Sequence, residues 1–247
     1  TNLRTIRHSL SSSSTLVSAV KGLEMDSGKR MSQLMEEELP SKLHPGITVL
    51  SGPNLALEIV DGKPSSTVVA SSNESAARAV QDILTSNSFR VYTNTDIIGV
   101  ELGGALKNII AIGAGICDGL GYGNNAKAAF ITRGLTEISR LGVAAGAQPL
   151  TFAGLAGMGD LIATCSSPLS RNRYVGVELA KGKTLSEIRT GMVHVAEGVD
   201  TTSAAIDLAR SMDVEMPITS VTYKVLFENM TVQRALLELM GRTPAPE

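Results

Sequence analysis

Tryptophan is absent from the 247 residues, aromatics make up only 3%, and cysteine occurs twice. Cys117 and Cys165 stand far apart with no CxxC pattern, which argues against a disulfide scaffold and a thiolate metal site. His8, His44 and His194 are scattered and form no ligand pair, so metal catalysis finds no support. The longest apolar run, Ile109–Ile116, contains Gly113 and Gly115 and is too short to span a bilayer. No signal peptide with an apolar core opens the chain. Neither sign of charge dominates: 22 Lys and Arg against 24 Asp and Glu leave a net charge of −2. That balance argues against a general nucleic-acid binder but allows a local basic pocket for a small anion. Two phosphate signatures also fail. Gly182-Lys183-Thr184 has Val177 where a P-loop needs glycine, and neither Gly119-Leu120-Gly121 nor Gly157-Met158-Gly159 completes a GxGxxG after a strand.

Small and apolar residues are what the chain has. Glycine numbers 24 and the hydrophobic fraction is 43%, enough to bury a core. Short β-like runs at 15–20, 47–50, 66–70 and 89–92 alternate with helical patterns at 29–39, 53–60 and 74–84. This rhythm predicts a mostly parallel sheet with helices on its faces. After about residue 95 the strand signal stops. Helices are predicted over 96–121, 125–145, 170–181, 197–212, 217–229 and 232–240, with N-caps at Asn124 or Asn125 and at Thr231, and Pro217 in a first turn. The expected division is therefore an α/β part, 1–95, and an all-α part, 96–247.

Several polar residues sit in apolar settings. Lys107 lies within Leu102-Gly-Gly-Ala-Leu-Lys-Asn-Ile-Ile-Ala-Ile-Gly113. It either snorkels to water or faces a pocket, where desolvation would lower its pKa into a range useful for proton exchange. Gly103 and Gly104 are expected to leave its ammonium uncrowded. Asp160 is either an N-cap or a carboxylate that holds Lys107. Ser170-Arg171-Asn172-Arg173 opens a helix, as an ordinary cap with surface arginines or as a phosphate site. Lys21-Gly22 and Gly52-Pro53-Asn54 fall at predicted C-terminal strand ends, where ligands of parallel sheets collect, and could equally be plain turns.

Together these segments resemble the NAD(P)-dependent glycerol-3-phosphate dehydrogenase family, in its bacterial and plastid type. The matching stretches include Val20-Lys-Gly-Leu-Glu24, Ser51-Gly-Pro-Asn54, Gly99-Val-Glu-Leu-Gly-Gly-Ala-Leu-Lys-Asn108, Gly157-Met-Gly-Asp-Leu161, Ser170-Arg-Asn172, Ala196-Glu-Gly198 and Glu215-Met-Pro-Ile218, in family order. The resemblance implies the end of a Rossmann-like dinucleotide-binding domain followed by a helical substrate domain. It also implies reversible reduction of dihydroxyacetone phosphate to sn-glycerol 3-phosphate, with NAD or NADP, supplying glycerol phosphate for phospholipid synthesis. Lys107 would be the acid/base and Asp160 would orient it. Lys21, Gly52, Asn54, Lys107, Asn108, Asp160, Thr164, Ser170, Arg171 and Asn172 would contact substrate. Lys21, Ala56, Arg171, Val195 and Glu197 would contact cofactor. A homodimer without metal, located in the cytoplasm or a plastid, is expected.

Val20 departs from the Ser or Thr usual before that lysine. The family also opens with a strand, a glycine-rich turn and a helix that hold the pyrophosphate. At about 30 residues per βαβ unit, roughly 90 residues are expected ahead of Thr1. These 247 residues alone are therefore expected not to turn over a nicotinamide cofactor at a useful rate, while weak glycerol 3-phosphate binding persists. Other readings are a hydroxyacid-type or 6-phosphogluconate-type dehydrogenase, and a non-catalytic helical module that dimerises.

Overall fold

The computed structural model describes residues 2–192 and 195–243; His194 falls outside them. Four strands form one sheet in the order β1-β2-β3-β4: β1 (Leu16–Ser18), β2 (Ile47–Ser51), β3 (Ser65–Ala70) and β4 (Phe89–Asn94). The pairs β1–β2 and β3–β4 are parallel. The pair β2–β3 is antiparallel, so the sheet is mixed. Between β2 and β3 the only helix is α3 (Ala56–Val60), and the chain turns back on itself there. Helices α1 (Asn2–Ile6), α2 (Met31–Glu38) and α4 (Glu74–Leu84) complete this part. On α4, Ala77 and Val80 pack against Val69 of β3 and Val91 of β4.

Asp96 begins the helical part. Its carboxylate accepts from Gly99 N at 2.9 Å, capping α5 (Ile97–Gly119), and also from Gln148 N at 2.9 Å and Thr151 Oγ1 at 2.6 Å. Around α5 are arranged α6 (Gly123–Ala144), α7 (Pro149–Ala153), α8 (Asp160–Ser166), α9 (Arg171–Ala180), α10 (Leu185–Thr190), α11 (Glu197–Ser211), α12 (Pro217–Phe227) and α13 (Val232–Met240). By length and composition α5 could cross a membrane, but 83% of its most apolar window is buried inside the protein. It is the core helix, buried without a break from Leu102 to Gly115. Glycines let its neighbours approach: a Cβ on Gly176 of α9 would lie 2.8 Å from Ile116 N, and one on Gly103 would lie 2.7 Å from Ala156 O.

Three local expectations change. α6 starts at Gly123 without a side-chain cap, because Gly121 and Gly123 reverse the chain at φ 69° and 79°; Asn124 and Asn125 lie inside its first turn. α10 adds a helix where none was expected; it is too short to show a period, although Thr184 and Glu187 form a capping box. Gly103 and Gly104 do not leave open space beside Lys107; they admit the backbone of Ala156 and the side chain of Ser51.

Candidate active site

The site lies where α5 meets the ends of β2 and α8. Lys107 is 5% exposed, so it does not snorkel. The close approach of Ala156 at Gly103 brings in the π-helical stretch Leu155–Gly159, which runs directly into Asp160. Asp160 is therefore not a cap. Gly159 holds that position, and the carboxylate points at α5. Lys107 Nζ donates to Asp160 Oδ1 at 2.6 Å and to Thr164 Oγ1 at 2.5 Å. Thr164, one turn after Asp160, also donates to Oδ1 at 3.2 Å.

Lys21 arrives from the other part of the molecule. Its Nζ donates to Asp160 Oδ2 at 2.6 Å and to Gly52 O at 2.8 Å. One buried carboxylate thus serves two ammonium groups, with Lys107 at 7% and Lys21 at 16% side-chain exposure. Burial pushes the Lys107 pKa below the ordinary lysine value; Asp160 opposes that shift and the Lys21 charge adds to it. An ammonium held this way releases its proton more readily than a solvated lysine.

A second group of residues joins three helices. Ser170 caps α9, accepting from Arg173 N at 3.2 Å, which leaves the N–H groups of Arg171 and Asn172 at the helix start. Asn172 Oδ1 accepts from Gly198 N at 2.9 Å, tying α9 to α11. Only glycine fits there, since a Cβ on Gly198 would lie 2.6 Å from Asn108 O. Asn108 follows Lys107 on α5 and is 1% exposed. The starts of α9 and α11 therefore converge beside Lys107, and each carries the positive end of a helix dipole. Arg171 is exposed and lies 3.5 Å from Glu197 Oε1.

Other expected ligand residues sit differently. Asn54 is committed to the sheet: its Nδ2 donates to Ser66 O at 3.1 Å and its Oδ1 accepts from Thr67 Oγ1 at 2.8 Å. Ala56, Val195 and Glu197 are exposed. Sequence reasoning missed Thr67, Arg30, Ser32 and Glu101. The Thr67 hydroxyl also lies 3.1 Å from Ser51 O and sits against the Gly52 turn. Glu101 on α5 accepts from Arg30 at 2.7 Å, from Ser32 N at 2.8 Å and from Ser32 Oγ at 2.5 Å, clamping the far end of the Lys21 loop. A charged Glu101 within an apolar run was the available signal.

A buried lysine–aspartate pair between a sheet edge and a helical bundle, beside two helix starts and an arginine, has the makings of an active site: a group able to exchange a proton beside a place that attracts an anion. The sequence matches the family described as NAD-dependent glycerol-3-phosphate dehydrogenase, its N-terminus over residues 1–77 and its C-terminus over residues 96–237. A glycerol-3-phosphate dehydrogenase (NAD(P)+) of Dehalococcoides mccartyi is 56% identical over 246 residues, covering 100% of this chain and 68% of the relative. One from Citrifermentans bemidjiense is 53% identical over 227 residues, covering 92% of this chain and 68% of the relative. The crystal structure of the Coxiella burnetii glycerol-3-phosphate dehydrogenase superposes with a TM-score of 0.91 at 36% identity, covering 98% of this chain and 73% of that one. The chain belongs to the NAD-dependent glycerol-3-phosphate dehydrogenase family.

Proposed function

We propose that this site interconverts dihydroxyacetone phosphate and sn-glycerol 3-phosphate, with Lys107 as the acid/base. The observation that carries the reading is the buried Lys107–Asp160 pair at 2.6 Å, next to the Arg171 helix start. When bound, the nicotinamide cofactor supplies or accepts the hydride at C2. In the reducing direction the Lys107 ammonium gives a proton to the C2 oxygen and is left neutral; in the oxidising direction the neutral amine takes it back. Asp160 and Thr164 hold the Lys107 nitrogen in place, and Lys21 brings a second positive charge toward the developing alkoxide. Arg171 and the free N–H groups of α9 take the phosphate, while Asn108, Asn172 and Ser170 keep that helix start in register.

The residues around the opening suit the nicotinamide end of the cofactor. Val195 and Ala56 offer exposed apolar surface, and Glu197 and Arg171 offer polar groups. No GxGxxG turn for a pyrophosphate occurs in this sequence. Residues 1–95 serve as the cofactor side and 96–247 as the substrate side. A homodimer of the cytoplasm that feeds phospholipid synthesis is the accompanying reading.

Calorimetric titration separates phosphate recognition from the rest. Glycerol 3-phosphate is expected to bind and glycerol is not. Arg171→Ala removes a charge-assisted bond worth about 1.5–3 kcal/mol, weakening glycerol 3-phosphate binding by about one to two decades. Equal affinity of wild type and variant would remove Arg171 from the site.

A further inference from the structure

Ser51 is the last residue of β2. Side chains two apart on a strand share a face, so Ser51 points the same way as Val49, which packs with Val100 of α5. Gly104, one turn after Val100, lies opposite Ser51: a Cβ there would collide with the Ser51 hydroxyl and would lie 3.5 Å from Cγ of Lys21. Lys107 follows three residues later on the same face of the helix. The hydroxyl is therefore set between the Lys21 stem and the helical turn that carries Lys107. Ser51 is 3% exposed, and its Oγ is the one buried side-chain polar atom among the described residues without a hydrogen-bond partner.

A buried hydroxyl with no partner is a standing cost, and alanine would remove it without leaving a sizeable cavity. The nearby charged groups are already engaged: Lys21 with Gly52 O and Asp160, Lys107 with Asp160 and Thr164. Taking the substrate reading above as its basis, we infer that Ser51 is a further ligand-binding residue. Its hydroxyl finds its hydrogen-bond partner on an oxygen of the triose phosphate rather than in the protein. The Lys21 stem, which covers it, is flexible enough to move aside.

The test compares wild type, Ser51→Ala and Ser51→Cys by melting temperature without ligand and by calorimetric titration with glycerol 3-phosphate. The thiol is larger than the hydroxyl and donates weakly. The expected pattern has opposite signs. Without ligand Ser51→Ala melts no lower than wild type, and up to about 2–4 °C higher, while both variants bind glycerol 3-phosphate about three- to ten-fold more weakly. Unchanged affinity overturns the inference, as does a lower melting temperature without ligand, which would reveal a partner within the protein. Wild type that fails to bind glycerol 3-phosphate overturns the substrate reading and this inference with it. Wild type that binds, with Ser51→Ala binding equally, overturns this inference alone.

Discussion

The two parts of the molecule are held together differently. In the helical part α5 is enclosed by two apolar clusters, one under α6, α8 and α11 and one under α9, α12 and α13. Its closest contacts are backbone against backbone through glycine. The sheet part has small separate clusters and leaves Val17, Val20, Leu57, Val60 and Ile83 substantially exposed. The groups assigned to proton transfer follow the same division. Lys107, Asp160 and Thr164 all belong to the enclosed helical part, while Lys21 and the Gly52 turn reach in from the less enclosed sheet part. Catalytic geometry tolerates little error, and the proposed acid/base and its carboxylate both sit on the enclosed part, where packing fixes their spacing.

Breaking the enclosed part should have the largest effect. A Cβ on Gly176 meets only backbone, with Ile116 N at 2.8 Å and Gly115 Cα at 2.9 Å, and backbone cannot rotate away. Gly176→Val is expected to cost at least about 3–5 kcal/mol and to abolish the cooperative melt of the helical part in circular dichroism. Retention of the wild-type melt would show that α5 and α9 can separate without consequence.

Lys107→Met comes next, because it removes the chemistry and keeps the packing. In a full-length version of the enzyme, turnover of dihydroxyacetone phosphate should fall by about 10²–10⁴, the usual share of a general acid, while glycerol 3-phosphate binding persists. The pH profile gives the sign. Reduction needs the ammonium, and burial lowers its pKa below 10.5, so reduction should decline as pH rises through that lowered value. Oxidation needs the neutral amine and should rise through the same value. A variant with near-normal turnover, or with the same alkaline limb as wild type, would remove Lys107 from its role.

The same division explains what could be read from sequence. Long helices with periodic apolar faces, such as 74–84 and 232–240, stand at the predicted positions. Lys107 and Asp160 were legible because a lone charge among small apolar residues needs a partner. The antiparallel β2–β3 pair was not, since strand patterns carry no direction. Thr67, Ser51 and Glu101 were hidden because their importance lies in contacts between segments far apart in the chain. Asn54 pointed to the Gly52 turn, and its amide ties that turn to β3.

The smallest effect sharpens the comparison from the other side. Gly62 follows α3 at φ 72°, and a Cβ there would find nothing within 4 Å. Gly62→Ala therefore meets no neighbour; its cost is that of an alanine in the left-handed region, about 1–2 kcal/mol. Part of that is offset because alanine narrows the unfolded ensemble by about 0.4–1 kcal/mol. A net loss of about 1 kcal/mol should lower the melting temperature by about 2–4 °C. The backbone bond from Gly62 N to Ile59 O, 2.9 Å, survives the change. Since a Cβ on Gly62 touches nothing, the Lys21–Asp160 contact should be untouched, and glycerol 3-phosphate affinity should stay at the wild-type level. A loss of stability comparable to that of Gly176→Val would mean that the α3 turn is packed as tightly as α5, and that exposed apolar side chains misrepresent how the sheet part is held.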